Sequence, residues 1–319
     1  MSRIPSYVLI FLLFSACTSD DKKNVVDVSD IEVDFSLDRF DQKFYTAKSS
    51  DLSTLKKEYP RMLSGVEDSI WLNKMKNEDE LHLFNESQKV FGNFSETKSE
   101  LEQLFKHIKY YTPTFKAPNI ITHISNLDYD YPVIYADTLL FVALDMYLGK
   151  NNIVYSDFPK YISQNYVKEA VVVDAAKDII NLSYRKEKSR TFLERMINEG
   201  KFLYLLDRYL PNTSDELKMN YDADKMEFVQ MNEINIWKYF IENELLFSND
   251  SKLNTRFIDV APFSKFYKEF DQETPGRVGV WTGWQIVRAY MKNNDVTLQQ
   301  LMATSPETIY KKSKYKPRK

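Results

Sequence analysis

PNIITHISNLDYDYPVIYADTLLFVAL, residues 118–144, is the stretch that separates this chain from an all-helical protein. Pro118–Ser125 (PNIITHIS), Tyr131–Tyr135 (YPVIY) and Thr138–Leu144 (TLLFVAL) are rich in β-branched and aromatic residues, which pack well on a pleated surface. Asn, Asp and Pro separate them, and these residues favour turns. The stretch therefore reads as three strands of one small sheet. Upstream, Ile31–Tyr45 alternates apolar and polar, as in a strand followed by a turn of helix. Helical spacing then covers 51–63, 67–76, 78–91 and 95–111, with Lys and Glu on the outer positions. Beyond the sheet it returns at 164–182, 189–210, 222–247 and 280–293. Thr297 opens a shorter helix, with Gln300 three residues on in capping-box spacing. Helices, a small sheet and then long helices predict an α+β fold, mainly helical, as a single domain over 32–319.

The first 16 residues, MSRIPSYVLIFLLFSA, carry one cation (Arg3), an apolar run and a small-residue exit, the plan of a signal peptide. Cys17 follows directly and is the only cysteine, so the start resembles a bacterial lipoprotein signal in which this cysteine is freed and acylated. Phe14 and Leu13 match the strict motif only loosely, and a plain cleavable signal peptide is the alternative. Residues 17–31 are polar and acidic without helical period, a tether. Within them Ser19-Asp20-Asp21 resembles the acidic export tags of surface lipoproteins in Bacteroidota, although a bland acidic linker would look similar.

The whole chain holds 43 basic and 46 acidic residues, spread rather than massed, which gives no basic stripe for nucleic acid. Removal of Cys17 to the anchor leaves no thiol for disulfide or nucleophile chemistry.

Three of the seven glycines, Gly276, Gly279 and Gly283, fall in PGRVGVWTGWQIVRAYMKNN (275–294), beside two of the four tryptophans, Trp281 and Trp284. No Gly-Lys-Ser/Thr occurs there and no strand leads into a G-x-G-x-x-G turn, so a phosphate cradle is not indicated. Trp281, Trp284, Val287 and Met291 instead fall on one helical face. Gly283 costs helix stability, about 1 kcal/mol relative to alanine, unless a backbone or a large ring approaches closely there. Gly200, inside a second helix, permits the same kind of approach.

His82, His107 and His123 are isolated in sequence and lack metal-ligand spacing, which makes them structural, solvated or hydrogen-bonded. No Gly-x-Ser-x-Gly elbow is present. Two carboxylates border apolar stripes. Asp174 shares a face with Val167, Ala170, Val171 and Asp178, and Glu199 flanks Phe192, Met196, Phe202, Leu203 and Leu206 in a helix opened by the Thr191/Glu194 capping box. A charge at the edge of a core must be paired or neutralised. Arg277 and Arg288 are the candidate partners, in a pocket with Asp174 and Glu199; structural salt bridges are the bland alternative.

FVALDMYLG (141–149), MINEGKFLYLLDRYLP (196–211) and PGRVGVWTGWQIVRAYM (275–291), with the lipoprotein start, closely resemble the gliding motility lipoprotein GldB family of Bacteroidota. The resemblance spans essentially the whole chain. It implies a lipid-anchored component of the cell envelope, on the periplasmic side or the cell surface, working with other gliding and secretion proteins. A more distant likeness is to zinc peptidases with an H-E-x-x-H helix after a sheet, a Glu-Gly helix and a late glycine-rich helix. It would lay the metal helix on Val173-Asp174-Ala175-Ala176-Lys177 and the downstream glutamate on Glu199. Both histidines are missing, which predicts a zincin-like scaffold with no metal, no cofactor and no catalytic residue, acting in binding or assembly. The alternatives are a peptide-binding module in the old substrate groove, or a metal-independent hydrolase using Asp174 or Glu199 as general base.

Overall fold

The computed structural model of the protein describes residues 25–184 and 188–318. The leader, Cys17 and the first part of the tether lie outside the described residues. Val28 is already buried. The chain then forms β1 (Leu37–Asp38) and α1 (Phe40–Tyr45), followed by three short helices, α2 (Leu52–Glu58), α3 (Pro60–Leu63) and α4 (Asp68–Lys74). One helix was expected over 51–63. Pro60 divides it, because proline forces the preceding residue out of the α region, and Tyr59 sits at φ −119°, ψ 57°.

α5 (Glu78–Phe91) and α6 (Ser95–Tyr111) follow the predicted ranges. Asn77 starts α5 by accepting the Glu80 N–H at 2.9 Å, and Glu78, Asp79 and Glu80 complement the helix dipole in the first turn.

The three strands read from 118–144 are β2 (Asn119–His123), β3 (Val133–Ala136) and β4 (Leu139–Ala143). With β1 they make one mixed sheet in the order β1-β2-β4-β3. β2 is parallel to both β1 and β4, and β3 is antiparallel to β4. Ile120 pairs with Leu140 and Thr122 with Val142. Alternate residues along a strand face opposite ways, so Ile120 enters the main core while Ile121 packs against a smaller cluster built on Phe40, Phe44, Leu55 and Leu63. The small helices thus cover one face of the sheet and the long helices the other. Asp41 ties the layers together. It is wholly buried and accepts hydrogen bonds from Arg39, Thr122 and Gln88.

After the sheet come α7 (Lys160–Ser163), α8 (Val171–Ser183), α9 (Phe192–Tyr209), α10 (Asp215–Met219), α11 (Ala223–Met231) and α12 (Glu233–Glu242). α13 (Lys252–Phe257), α14 (Val278–Asn293), α15 (Leu298–Ala303) and α16 (Pro306–Ser313) complete the described chain. Two of these segments differ from the periodic reading. The helix expected from 164 begins at Val171, because the Tyr166 carbonyl accepts the Gly149 N–H at 2.7 Å and Val167 is extended at φ −120°, ψ 149°. Val167 therefore does not share the α8 face with Asp174. The helix expected over 222–247 divides at Asn232, whose side-chain amide donates to the Phe228 carbonyl at 3.0 Å. Both predicted capping boxes, Thr191/Glu194 and Thr297/Gln300, are formed.

The centre of the main core is the crossing of α9 and α14. A Cβ placed on Gly283 would lie 1.8 Å from the Met196 carbonyl oxygen, and one on Gly200 would lie 2.3 Å from the Gly283 carbonyl oxygen. Each glycine thus seats the other helix's backbone, the close approach their positions implied. Contacts climb in the same direction on both helices, from Phe192 at Gly279 to Asp207 at Arg288, so the pair runs parallel. The one-sided apolar face expected for α14 is replaced by burial all round: from Val278 to Val287 every residue is buried. No helix among the described residues is long and apolar enough to cross a membrane.

Candidate functional site

Arg288 follows the fully buried run of α14, and a largely buried charge cluster forms there. The guanidinium lies over the Trp284 ring, 3.6 Å from its centroid. Its Nε and Nη2 donate to the two carboxylate oxygens of Asp207 at 2.7 Å each, and Nη1 and Nη2 donate to Asp215 at 2.7 and 2.8 Å. Asp207 also accepts the Trp284 Nε1–H at 3.0 Å and the Lys218 ammonium at 3.1 Å. Asp207 and Lys218 are 1% and 0% exposed. Such charges persist in a core only when paired and hydrogen-bonded. Here two carboxylates meet two cations, and the cluster joins α9, α10 and α14. Burial opposes the Arg288 charge, but its bonds to Asp215 and Asp207 outweigh this and hold its pKa above the usual range.

Above the cluster opens a cleft of about 730 Å³. Tyr204, Gln285, Arg288 and Met291 form part of its wall, Glu233 at the start of α12 another part, and Tyr315, Lys316 and Arg318 close the far side. The Tyr315 hydroxyl donates to Glu233 Oε1 at 2.7 Å. Burial, then the Glu233 charge, pushes the Tyr315 pKa above its ordinary value, so it remains a donor. Two buried polar atoms in this wall have no hydrogen-bond partner, Gln285 Nε2 and Glu233 Oε2.

The residues singled out in the sequence are distributed as follows. Asp174, on α8, accepts the Tyr147 hydroxyl at 3.0 Å on one oxygen and faces the Lys177 ammonium at 3.3 Å on the other. Glu199 is half-buried on α9 beside Gly200. Arg277, in the left-handed region at φ 65°, begins α14 and donates to the Met219 carbonyl at 3.0 Å. The pairing expected between Arg288 and Asp174 or Glu199 is replaced by pairing with Asp207 and Asp215, and Arg288 and Asp174 belong to separate networks. Cys17 lies outside the described residues. Among the described residues no group of three or more His, Cys, Asp or Glu is placed to hold a metal ion. The 173–177 helix turn suits a cation poorly, since Lys177 stands against its one carboxylate.

Asp207 was missed, yet it leaves a trace in sequence. It lies in the apolar run FLYLLDRYL seven residues after Gly200, two helical turns on, and so on the side that faces α14. A carboxylate at such a position requires a buried partner. Nothing in the pattern says that the partners are Arg288 and Lys218, because both come from elements distant in sequence.

His107 and His123 each have a buried Nδ1 without a hydrogen-bond partner, so the hydrogen-bonded state expected for them is absent at that atom. Burial lowers both pKa values below the ordinary 6.5, helped at His107 by the Arg208 charge and opposed at His123 by Asp145 and Asp41. Both rings are neutral in the fold, whereas the unfolded chain takes up protons as the pH falls through 6.5. Their contribution is therefore fully present above pH 6.5 and is lost as the pH drops through the lowered folded values. Urea melts from pH 7 to pH 5 should show falling stability, and His107→Gln/His123→Gln should flatten that slope. An unchanged slope would place the acid sensitivity elsewhere.

The family model described as gliding motility protein GldB matches residues 21–317. No curated protein and no solved structure matches the chain. The match takes in the glycine-mediated crossing, the Asp207–Arg288 cluster and all of the cleft's lining but Arg318, and on it the chain belongs to the gliding motility protein GldB family.

Proposed function

We propose that this protein is a lipid-anchored, non-catalytic binding or assembly component of the gliding machinery, held to the cell envelope through Cys17 and presenting the cleft over Asp207 and Arg288 to a partner. The scaffold is that of a peptidase that has lost its metal chemistry. The observation that carries the reading is the state of Asp174. Both of its oxygens are engaged, by Tyr147 and Lys177, at the turn where a peptidase would hold its metal. A general base needs an oxygen aimed at substrate, so the same contacts count against Asp174 as the base of a metal-independent hydrolase. The anchor rests on the lone cysteine after the apolar leader. More than one acyl chain there gives stable attachment where a single chain does not.

Deleting the gene should abolish spreading and single-cell gliding. Cys17→Ala should lose a labelled fatty acid and fail to restore movement. Normal gliding in the deletion strain would overturn the role, equal labelling of Cys17→Ala would overturn the anchor, and cleavage of a peptide library by the purified protein would overturn the non-catalytic assignment.

A further inference from the structure

We infer that the cationic segment 311–318, KKSKYKPR, is a second membrane contact that lays this end of the protein on an anionic lipid surface. This rests on the anchor at Cys17 proposed above and names the face that turns to the bilayer.

The segment holds five cations and no acid, in a chain whose net charge is −3. Two of the five are met locally: Lys311 pairs with Glu307 at 2.6 Å, and Arg318 stands 4.0 Å from Glu233. Lys312, Lys314 and Lys316 are exposed and have no carboxylate partner among the described residues. Lysine near a helix C-terminus is often there to complement the helix dipole. That accounts for Lys311 and Lys312 in the last turn of α16, but the effect fades within that turn and does not reach Lys316.

The backbone that carries these lysines is held in place. Ser313 is wholly buried, its carbonyl accepts the Asn293 side-chain amide at 2.7 Å, and its hydroxyl donates to the Tyr310 carbonyl at 2.8 Å. The Tyr315 ring meets Trp237 edge-on, with centroids 5.3 Å apart, and its hydroxyl donates to Glu233. Residues 313 and 315 thus hook the segment to the core, while 312, 314 and 316 stand in solvent. A backbone already ordered in the folded chain lowers the entropy lost on contact.

The bilayer is the anionic body that the anchor brings within reach. Eleven residues separate Cys17 from Val28, at most about 40 Å of chain, and a compact domain of about 290 residues is about 50 Å across. Every face therefore stays within a domain's width of the lipid. Anionic headgroups repel a chain of net negative charge except where its cations cluster. Each lysine near such a surface favours contact about five-fold, so three favour this face roughly 100-fold. A compact anion is a poorer match, because the three point charges are strung along the segment and of them only Lys316 lines the cleft.

The test uses the full-length protein reconstituted into vesicles of phosphatidylcholine, alone or with about one-third phosphatidylglycerol. A membrane-impermeant acetylating reagent is read lysine by lysine by mass spectrometry. The reactivity of Lys312, Lys314 and Lys316 is taken relative to Lys57 and Lys268, which are exposed elsewhere on the protein. Phosphatidylglycerol should lower that ratio at least about five-fold, and about 1 M salt, which shortens the screening length to ~3 Å, should restore it. Lys316→Glu should weaken the protection of Lys312 and Lys314 by about two-fold or more and leave the melting temperature unchanged, because its side chain is exposed. Lysines with only a structural role would give one ratio on both kinds of vesicle and no response to Lys316→Glu. An unchanged ratio, or a fall that salt does not reverse, would overturn the assignment. So would protection found in native envelopes but absent on anionic vesicles, which would give the segment to an acidic protein instead. Fatty-acid labelling of Cys17 reads the anchor and the lysine ratio reads the surface contact, so each can fail alone.

Discussion

Gly283→Ala is expected to destabilise the protein by about 3 kcal/mol or more, at the upper end of what overpacking costs. In an exposed helix interior the same change would stabilise by about 1 kcal/mol, because alanine is the better helix former. The sign reverses here because the added methyl would lie 1.8 Å from the Met196 carbonyl oxygen and 2.3 Å from its carbon. Those atoms belong to helix backbone, which cannot rotate aside as a side chain can. Relief requires α9 and α14 to separate, and separation would loosen Phe192, Met196, Trp281 and Trp284, all at most 2% exposed. Gly200→Ala meets the Gly283 carbonyl oxygen at 2.3 Å and should behave alike. Urea denaturation of both variants measures the effect. A midpoint equal to or above that of the natural protein would show that the helices do not cross at these glycines.

Asp207→Leu is expected to cost about 3–5 kcal/mol, the range found when one member of a buried ion pair is removed. Lys218 is fully buried and would keep its charge without the carboxylate at 3.1 Å, and the Trp284 N–H would lose its acceptor. Arg288 would keep Asp215, which is 28% exposed and so the weaker of its two partners. Adding Lys218→Met should recover part of the loss, because an apolar pair removes the uncompensated charge. The double variant should therefore be more stable than Asp207→Leu alone. A second loss on top of the first, measured in the same denaturation series, would mean that Lys218 is not held by Asp207.

The local features were legible because their causes are local. Thr191 and Glu194, like Thr297 and Gln300, lie three residues apart and satisfy each other's backbone groups within one turn. The strands at 119–123, 133–136 and 139–143 follow from β-branched residues bounded by Asn, Asp and Pro. Pro60 also acts locally, and its break between α2 and α3 could have been read from the tyrosine–proline step. The break at Asn232 and the late start of α8 were not legible in this way. One depends on a side chain turning back to a carbonyl, the other on Gly149 reaching Tyr166 across a loop.

The candidate site was half legible. Arg288 was singled out, with Arg277, as one of the two charges in the glycine- and tryptophan-rich stretch 275–291. Its partners were sought on Asp174 and Glu199, carboxylates bordering the stripes of their own helices, whereas α9 directs Asp207 into the crossing.

By itself the sequence determined the α+β class, the helix caps, the positions where two backbones approach closely, and the family. These depend on residue type and on spacing of a few positions. The tertiary structure alone decided that Gly200 and Gly283 meet each other, that α14 is buried on every side, and that Asp207, Asp215, Lys218 and Arg288 form one neutral cluster beneath a cleft. Each of these joins residues from different elements, and periodicity within one helix states which face is apolar but carries no information about which distant element will cover it.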